Sequence, residues 1–144
     1  MHCIRKSMLA PYSAEQMFNL VDRVEDYPRF LPWCGGVEVH ERSETVLDAT
    51  LHIRFLKVQA HFRTRDNRFP HERIEMRLAD GPFKHMDGFW RFIPLSEDAC
   101  KVEFELDYAF ASRTLEALIG PVFDRITSAF VDAFIEEAER RHGE

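Results

Sequence analysis

The side chains in this sequence that could do chemistry are few and poorly spaced for it. Cys3, Cys34 and Cys100 are scattered and never form the C-x-x-C pairs of a zinc or redox site. A lone thiol without a partnered base is expected to pack as a small apolar group. His40, His52, His61 and His85 all fall on the solvent-facing phase of the strands read below. His52 and His61 are expected to oppose each other across a hairpin, but two imidazoles without a carboxylate at fixed spacing are a weak ligand set, so no metal site is assigned. G-x-S-x-G, G-x-G-x-x-G, P-loop and H-E-x-x-H motifs are all missing. No catalytic residue is assigned, and the expectation is a protein that is not an enzyme and needs no cofactor. Aromatic side chains are the abundant class, with 13 Phe, two Trp and three Tyr. Each buried Phe contributes about 1.5–3 kcal/mol, so this load suits a wide core or a lined cavity.

Those aromatics need elements to aim them. Residues 3–9 read as a first strand. Ser13 and Gln16 have the spacing of a capping box, and Met17, Leu20, Val21 and Val24 recur at helical spacing, so a helix is expected from there to about Glu25. A second, short helical turn fits 26–32, limited by Pro32 and then by Gly35-Gly36. From Val37 the period switches to two. Leu47, Ala49, Leu51, Ile53 and Phe55 alternate with polar residues, and a turn at Leu56-Lys57 would pair Phe55 with Val58, Ile53 with Ala60 and Leu51 with Phe62. Ile74, Met76 and Leu78, then Met86, Trp90 and Phe92, then the alternating apolar residues of 100–110 continue the pattern as an antiparallel meander with one dry face. The cover for that face is a helix over 113–140, about 40 Å long, with a kink expected at Gly120-Pro121.

The resulting class is α+β: one domain over 1–144, a curved antiparallel sheet of about seven strands around a long C-terminal helix, with two short helices after the first strand. The residues expected to touch a hydrophobic ligand on the dry face are Phe62, Met76, Met86, Trp90, Phe104 and Tyr108 from the strands and Val122, Ile126 and Phe130 from the helix. On that face only a thiol and a phenol are expected to titrate. Phe30 and Trp33 lie in the 27–36 segment, which reads either as a cap on one end of the core or as a pocket rim that touches a membrane.

A net charge of −6 argues against a nucleic-acid binder held by counterion release. Within 50–77, however, seven basic residues stand against three acidic ones. Arg54, Arg63, Arg65 and Arg73 are the outer-face candidates for partner contact; they read either as a solvated face or as a surface that meets phosphate on a membrane or an RNA. No secretory or transit segment and no stretch of about 20 apolar residues occurs, and the cysteines suit a reducing cytoplasm.

Several separated motifs carry a resemblance: P-Y-S-A-E-Q-M-F at 11–18, V-E-D-Y-P-R-F-L-P-W-C at 24–34, D-G-P-F-K at 80–84, G-F-W-R-F at 88–92 followed by P-L-S, and V-D-A-F at 131–134. In these the chain resembles the coenzyme Q-binding START-like family of the polyketide cyclase/START superfamily, and within it the RatA-type ribosome-association toxins of bacteria. The resemblance covers essentially the whole chain. It implies the helix-grip fold and a tunnel for a polyprenyl quinone such as ubiquinone, bound in support of respiration by a protein in transient contact with the inner membrane. Its bacterial branch implies a different partner, a ribosomal subunit whose association is inhibited, and the wider superfamily implies a polyketide cyclase or aromatase. One departure is Arg63, where the toxin-type pattern has a second Thr before Arg65. The oligomeric state is left open.

Overall fold

The computed structural model describes residues 2–143. Strand β1 (His2–Ala10) leads into α1 (Ala14–Asp22), a 3-10 turn (Val24–Asp26) and the short α2 (Tyr27–Phe30). Six strands follow in a meander: β2 (Cys34–Arg42), β3 (Val46–Phe55), β4 (Val58–Phe69), β5 (Arg73–Asp80), β6 (Phe83–Ser96) and β7 (Ala99–Phe110). The chain ends in α3 (Arg113–Ser128) and α4 (Phe130–His142). All seven strands form one antiparallel sheet in the order β1-β7-β6-β5-β4-β3-β2, so α1 and α2 carry the chain from one edge of the sheet to the other. The sheet is curved, and the helices cover its dry face, as the helix-grip expectation requires.

Local signals act where the sequence places them. Ser13 Oγ accepts from the Gln16 N–H at 3.1 Å and Gln16 Oε1 accepts from the Ser13 N–H at 3.0 Å, which closes the capping box and fixes the start of α1. The β3–β4 hairpin has the expected register, with Phe55 opposite Val58, Ile53 opposite Ala60 and Leu51 opposite Phe62. Gly81 turns the chain into β6 at φ +150°, a conformation open to glycine because it has no Cβ. Gly88 has a different role: a Cβ there would meet Glu105 O at 2.2 Å, so β7 approaches β6 more closely than any side chain would allow.

Two elements depart from expectation. Helix α1 stops at Asp22, short of Glu25, and the chain continues as the separate 3-10 turn. The C-terminal helix does not break at Gly120-Pro121, because α3 runs through Pro121. Pro121 and Ala117 are both on the exposed side, where water can serve the carbonyl that Pro121 leaves without a donor. The break comes at Ala129, with φ −100° and ψ 0°. There the Thr127 hydroxyl donates to Phe123 O at 2.8 Å and competes with the main-chain ladder just before the chain leaves helical geometry.

The aromatic load fills the core more than it lines a wide hollow. Phe62, Phe83, Tyr108, Phe110 and Phe123 interlock under α3, with Phe83–Phe123 and Tyr108–Phe123 centroids 5.0 and 4.9 Å apart. Trp90, Phe104, Phe130 and Phe134 form the second cluster under α4, with Trp90 and Phe104 4.6 Å apart. Edge-to-face and tilted geometries dominate both, the arrangement favoured by ring quadrupoles.

Candidate functional site

An apolar cavity lies between the dry face of the sheet and α4. Its lining comes from Val21 and Val24 beside α1, Tyr27 of α2, Leu47 and Leu51 of β3, Phe62, Thr64 and Asp66 of β4, Ile74 and Met76 of β5, Met86 and Trp90 of β6, Phe104 and Leu106 of β7, and Phe130 of α4. A water-sized sphere can sweep about 60 Å³ within it, and the empty volume including the mouth is about 650 Å³. The larger figure includes open solvent at the mouth, and the free space itself is small and narrow, so a guest would have to be a thin chain or a flat ring. Of the lining residues only Met76 and Phe130 are more than marginally exposed, so the cavity reaches the surface beside them.

Of the side chains expected to hold a ligand, Phe62, Met76, Met86, Trp90, Phe104 and Phe130 line this cavity. The rest lie elsewhere. Phe30 packs against Phe134 at 5.5 Å and Trp33 against Phe130 at 5.4 Å, behind the lining. Tyr108 is fully buried in the α3 cluster, where its hydroxyl donates to Asp124, and burial raises its pKa above the ordinary phenol range. Ile126 is buried and Val122 half-buried against the core, and neither lines the cavity. The 27–36 segment caps the core: Tyr27, Leu31 and Trp33 are buried, so the bulky residues do not form an exposed membrane-touching tip.

The expectation that only a thiol and a phenol titrate on the dry face is overturned by Asp66. It continues the inward phase of Phe62 and Thr64 along β4 and occupies a row that crosses the sheet from Leu47 through Asp66, Met76 and Gly88 to Leu106. Asp66 is 7% exposed, and its Oδ1 has no hydrogen-bond partner. Burial raises its pKa from the ordinary 3.8 to about 7, with Asp22 and Asp48 adding repulsion and Thr64 acting in the opposite direction. The nearby cation does not rescue it. Arg68 shares the inward phase, but its guanidinium is gripped by Asp22 at 2.6 and 2.7 Å. Tyr27 is also committed, since its hydroxyl donates to Val21 O. The alternation of Arg63 and Arg65 outward with Thr64 inward was the signal that could have placed Asp66 inside.

The outer face is less open than its composition suggests. Asp48 is buried under Arg63, which donates to both its oxygens at 2.7 and 2.9 Å, and Arg65 bridges Asp48 and Glu41 at 3.2 and 3.1 Å. These guanidiniums, Arg63 first, hold the Asp48 carboxyl below its ordinary range. Arg73 lies 4.2 Å from the Phe69 ring centroid and pairs with Glu75 at 3.3 Å, while Arg54 stacks its Cβ near Gly35. His52 and His61 face each other with ring centroids 5.9 Å apart, and Glu38 approaches His52 at 3.6 Å. The Cys34 and Cys100 thiols are buried, and burial raises both pKa values. Among the described residues no helix is long and apolar enough to cross a membrane.

Comparison with known proteins gives concordant results. The family described as polyketide cyclase / dehydrase and lipid transport matches residues 10–135. The chain is 42% identical over 141 residues to a protein of Vibrio cholerae named ribosome association toxin RatA, covering 98% of each. It is 30% identical to a mitochondrial coenzyme Q-binding protein homologue of Xenopus laevis, over 96% of this chain and 58% of that protein. Among solved structures it is similar to an aromatase/cyclase of Streptomyces at TM-score 0.82 and 20% identity, covering 97% of this chain and 94% of that one. An 18 kDa protein of Caulobacter crescentus matches at TM-score 0.76 and 32% identity over 100% of both chains.

Proposed function

Since this chain belongs to the polyketide cyclase / dehydrase and lipid transport family, we propose that its cavity binds a hydrophobic ligand, in the first place a polyprenyl quinone such as ubiquinone, and carries it without turnover. The observation that supports this is the cavity itself, a narrow apolar space between sheet and helix whose lining carries a single carboxyl. Turnover needs a nucleophile–base pair or an acid–base pair in mutual reach; beside Asp66 stand the Thr64 hydroxyl and the Tyr27 hydroxyl, the latter spent on Val21 O, and the lining holds no histidine, lysine or second carboxyl to partner them. Native mass spectrometry of gently purified protein, followed by lipid extraction, tests the reading. A retained quinone or similar lipid is expected. Conversion of a cyclic or aromatic polyketide, abolished by changing Asp66, would replace the carrier with an enzyme.

A second reading is favoured by one observation, the name carried by relatives about 40% identical along almost the whole chain: association with a ribosomal subunit. The exposed arginines are the surface it would use. Arg63 is a poor probe of it, because its loss strips a buried Asp48 of its main partner. Arg54, Arg73 and Arg77 changed together to Gln leave that pair intact. Subunit binding at physiological ionic strength, steeply weakened by salt and lost in this triple variant, would establish the second reading.

A further inference from the structure

We propose that Asp66 is the polar anchor of the cavity: as the neutral acid it donates a hydrogen bond to the carbonyl oxygen of an uncharged ligand, and it excludes ligands that end in a carboxylate. This rests on the reading of the cavity as a ligand site.

The geometry assigns the role to Asp66 for three reasons. It is the single ionisable carboxyl among the lining residues, it is buried, and its Oδ1 has no partner among the described residues. A buried polar atom without a partner carries a desolvation cost that a ligand group removes on binding. Apart from Asp66, the polar groups of the lining are the Thr64 and Tyr27 hydroxyls and the Trp90 indole N–H, so a ligand's carbonyl finds its acidic donor here.

The surroundings determine which protonation state does the work. From α1, Asp22 faces Asp66 but is engaged with Arg68 and Arg42. From α2 comes only the Tyr27 phenol, itself a donor to Val21 O. From β3, Asp48 is held by Arg63 and Arg65. On β4 itself, Thr64 is the neighbour and Arg68 is turned to Asp22. From β5, Met76 is apolar and Glu75 pairs with Arg73, and from α4 the lining residue is Phe130. Among the described residues no cation is free to compensate an ionised Asp66, and two carboxylates repel it. The acid therefore stays protonated to about neutral pH. A carboxylate ligand would bring an unpaired anion into this dry space near the Asp22 and Asp48 carboxylates, whereas a ketone, ester or quinone oxygen accepts the hydrogen bond and adds no charge.

The test uses three probes of equal chain length, methyl dodecanoate, dodecanoate and dodecane, with the whole chain titrated by calorimetry at about pH 5.5 and about pH 8.5. For the wild type, methyl dodecanoate is expected to bind about thirtyfold more weakly at the higher pH, because only the protonated fraction is competent. Asp66→Asn keeps a donor and loses the titration, so its affinity for the ester should be the same at both pH values. Asp66→Leu should bind ester and alkane alike. Circular dichroism confirms that both variants fold before they are compared. Ester affinity independent of pH in the wild type, or dodecanoate bound as tightly as the ester at about pH 8.5, overturns the role of Asp66 and leaves the cavity reading standing. If none of the three probes binds the wild type or the Leu variant at either pH, the cavity reading falls and the anchor with it.

Discussion

Replacing Asp66 with Asn separates the cost of a buried charge from everything else in the fold, because the two side chains have nearly the same shape. In the native state the Asp66 carboxyl holds its proton to about pH 7, whereas in the unfolded chain it releases it near 3.8. Between those values the folded protein binds a proton that the unfolded one does not. The stabilisation is fully present below the ordinary carboxyl range and is lost as pH rises through about 7. Integrated from about pH 5 to about pH 8, the wild type should lose about 2–3 kcal/mol from this one group. Asp66→Asn should lose none of it. The measurement is urea unfolding of both proteins at several pH values, and the quantity read is the difference between the two stabilities. Groups common to both, Asp48 among them, cancel in that difference. Because Asn has its own amide to satisfy, the absolute offset carries no weight and the slope decides. Parallel stability curves would refute the reasoning and mean that water or Arg68 reaches the carboxylate.

Two further outcomes follow from the same structure. Asp22→Ala removes the carboxylate that grips Arg68 and Arg42, and it should cost about 3–5 kcal/mol in denaturant unfolding because Arg68 is left largely buried and unpaired; the freed guanidinium should also lower the Asp66 pKa, read from its carboxyl carbon by NMR. Gly88→Ala forces a Cβ against the Glu105 carbonyl and Leu106 Cα, both backbone, so the β6–β7 pairing must shift. A loss of more than about 2 kcal/mol is expected, and a neutral result would show that the strands can part there.

The meander was legible because alternation in β3 and β4 leaves one register that pairs apolar with apolar, and the structure has that register at Phe55, Ile53 and Leu51. Asp66 was not legible for a related reason. It lies among Arg63, Arg65, Asn67 and Arg68, where the density of charge looks like a solvated face, and only phase continuity from Phe62 and Thr64 puts it inside. The break in the C-terminal helix was misplaced because Pro121 is a strong local signal whose cost water can absorb on an exposed face. The signal that mattered, a Thr127 hydroxyl turned back onto Phe123 O, depends on side-chain orientation that spacing does not encode. The cavity lining was partly readable from the apolar strand rows, but the contributions of Val21, Val24 and Tyr27 depend on how α1 and α2 cross the sheet edge.

The interruption at Ala129 bears on how quickly a guest is exchanged. Phe130, at the start of α4, is one of the two lining residues that meet solvent, and it sits immediately after the break. In the ligand reading, a guest entering beside Phe130 would pass a helix terminus, where a ring rotation breaks no helical hydrogen bond, instead of the middle of a continuous rod. Side-chain rotations of that kind are far faster than global unfolding, so exchange in that reading would not wait on unfolding of the domain.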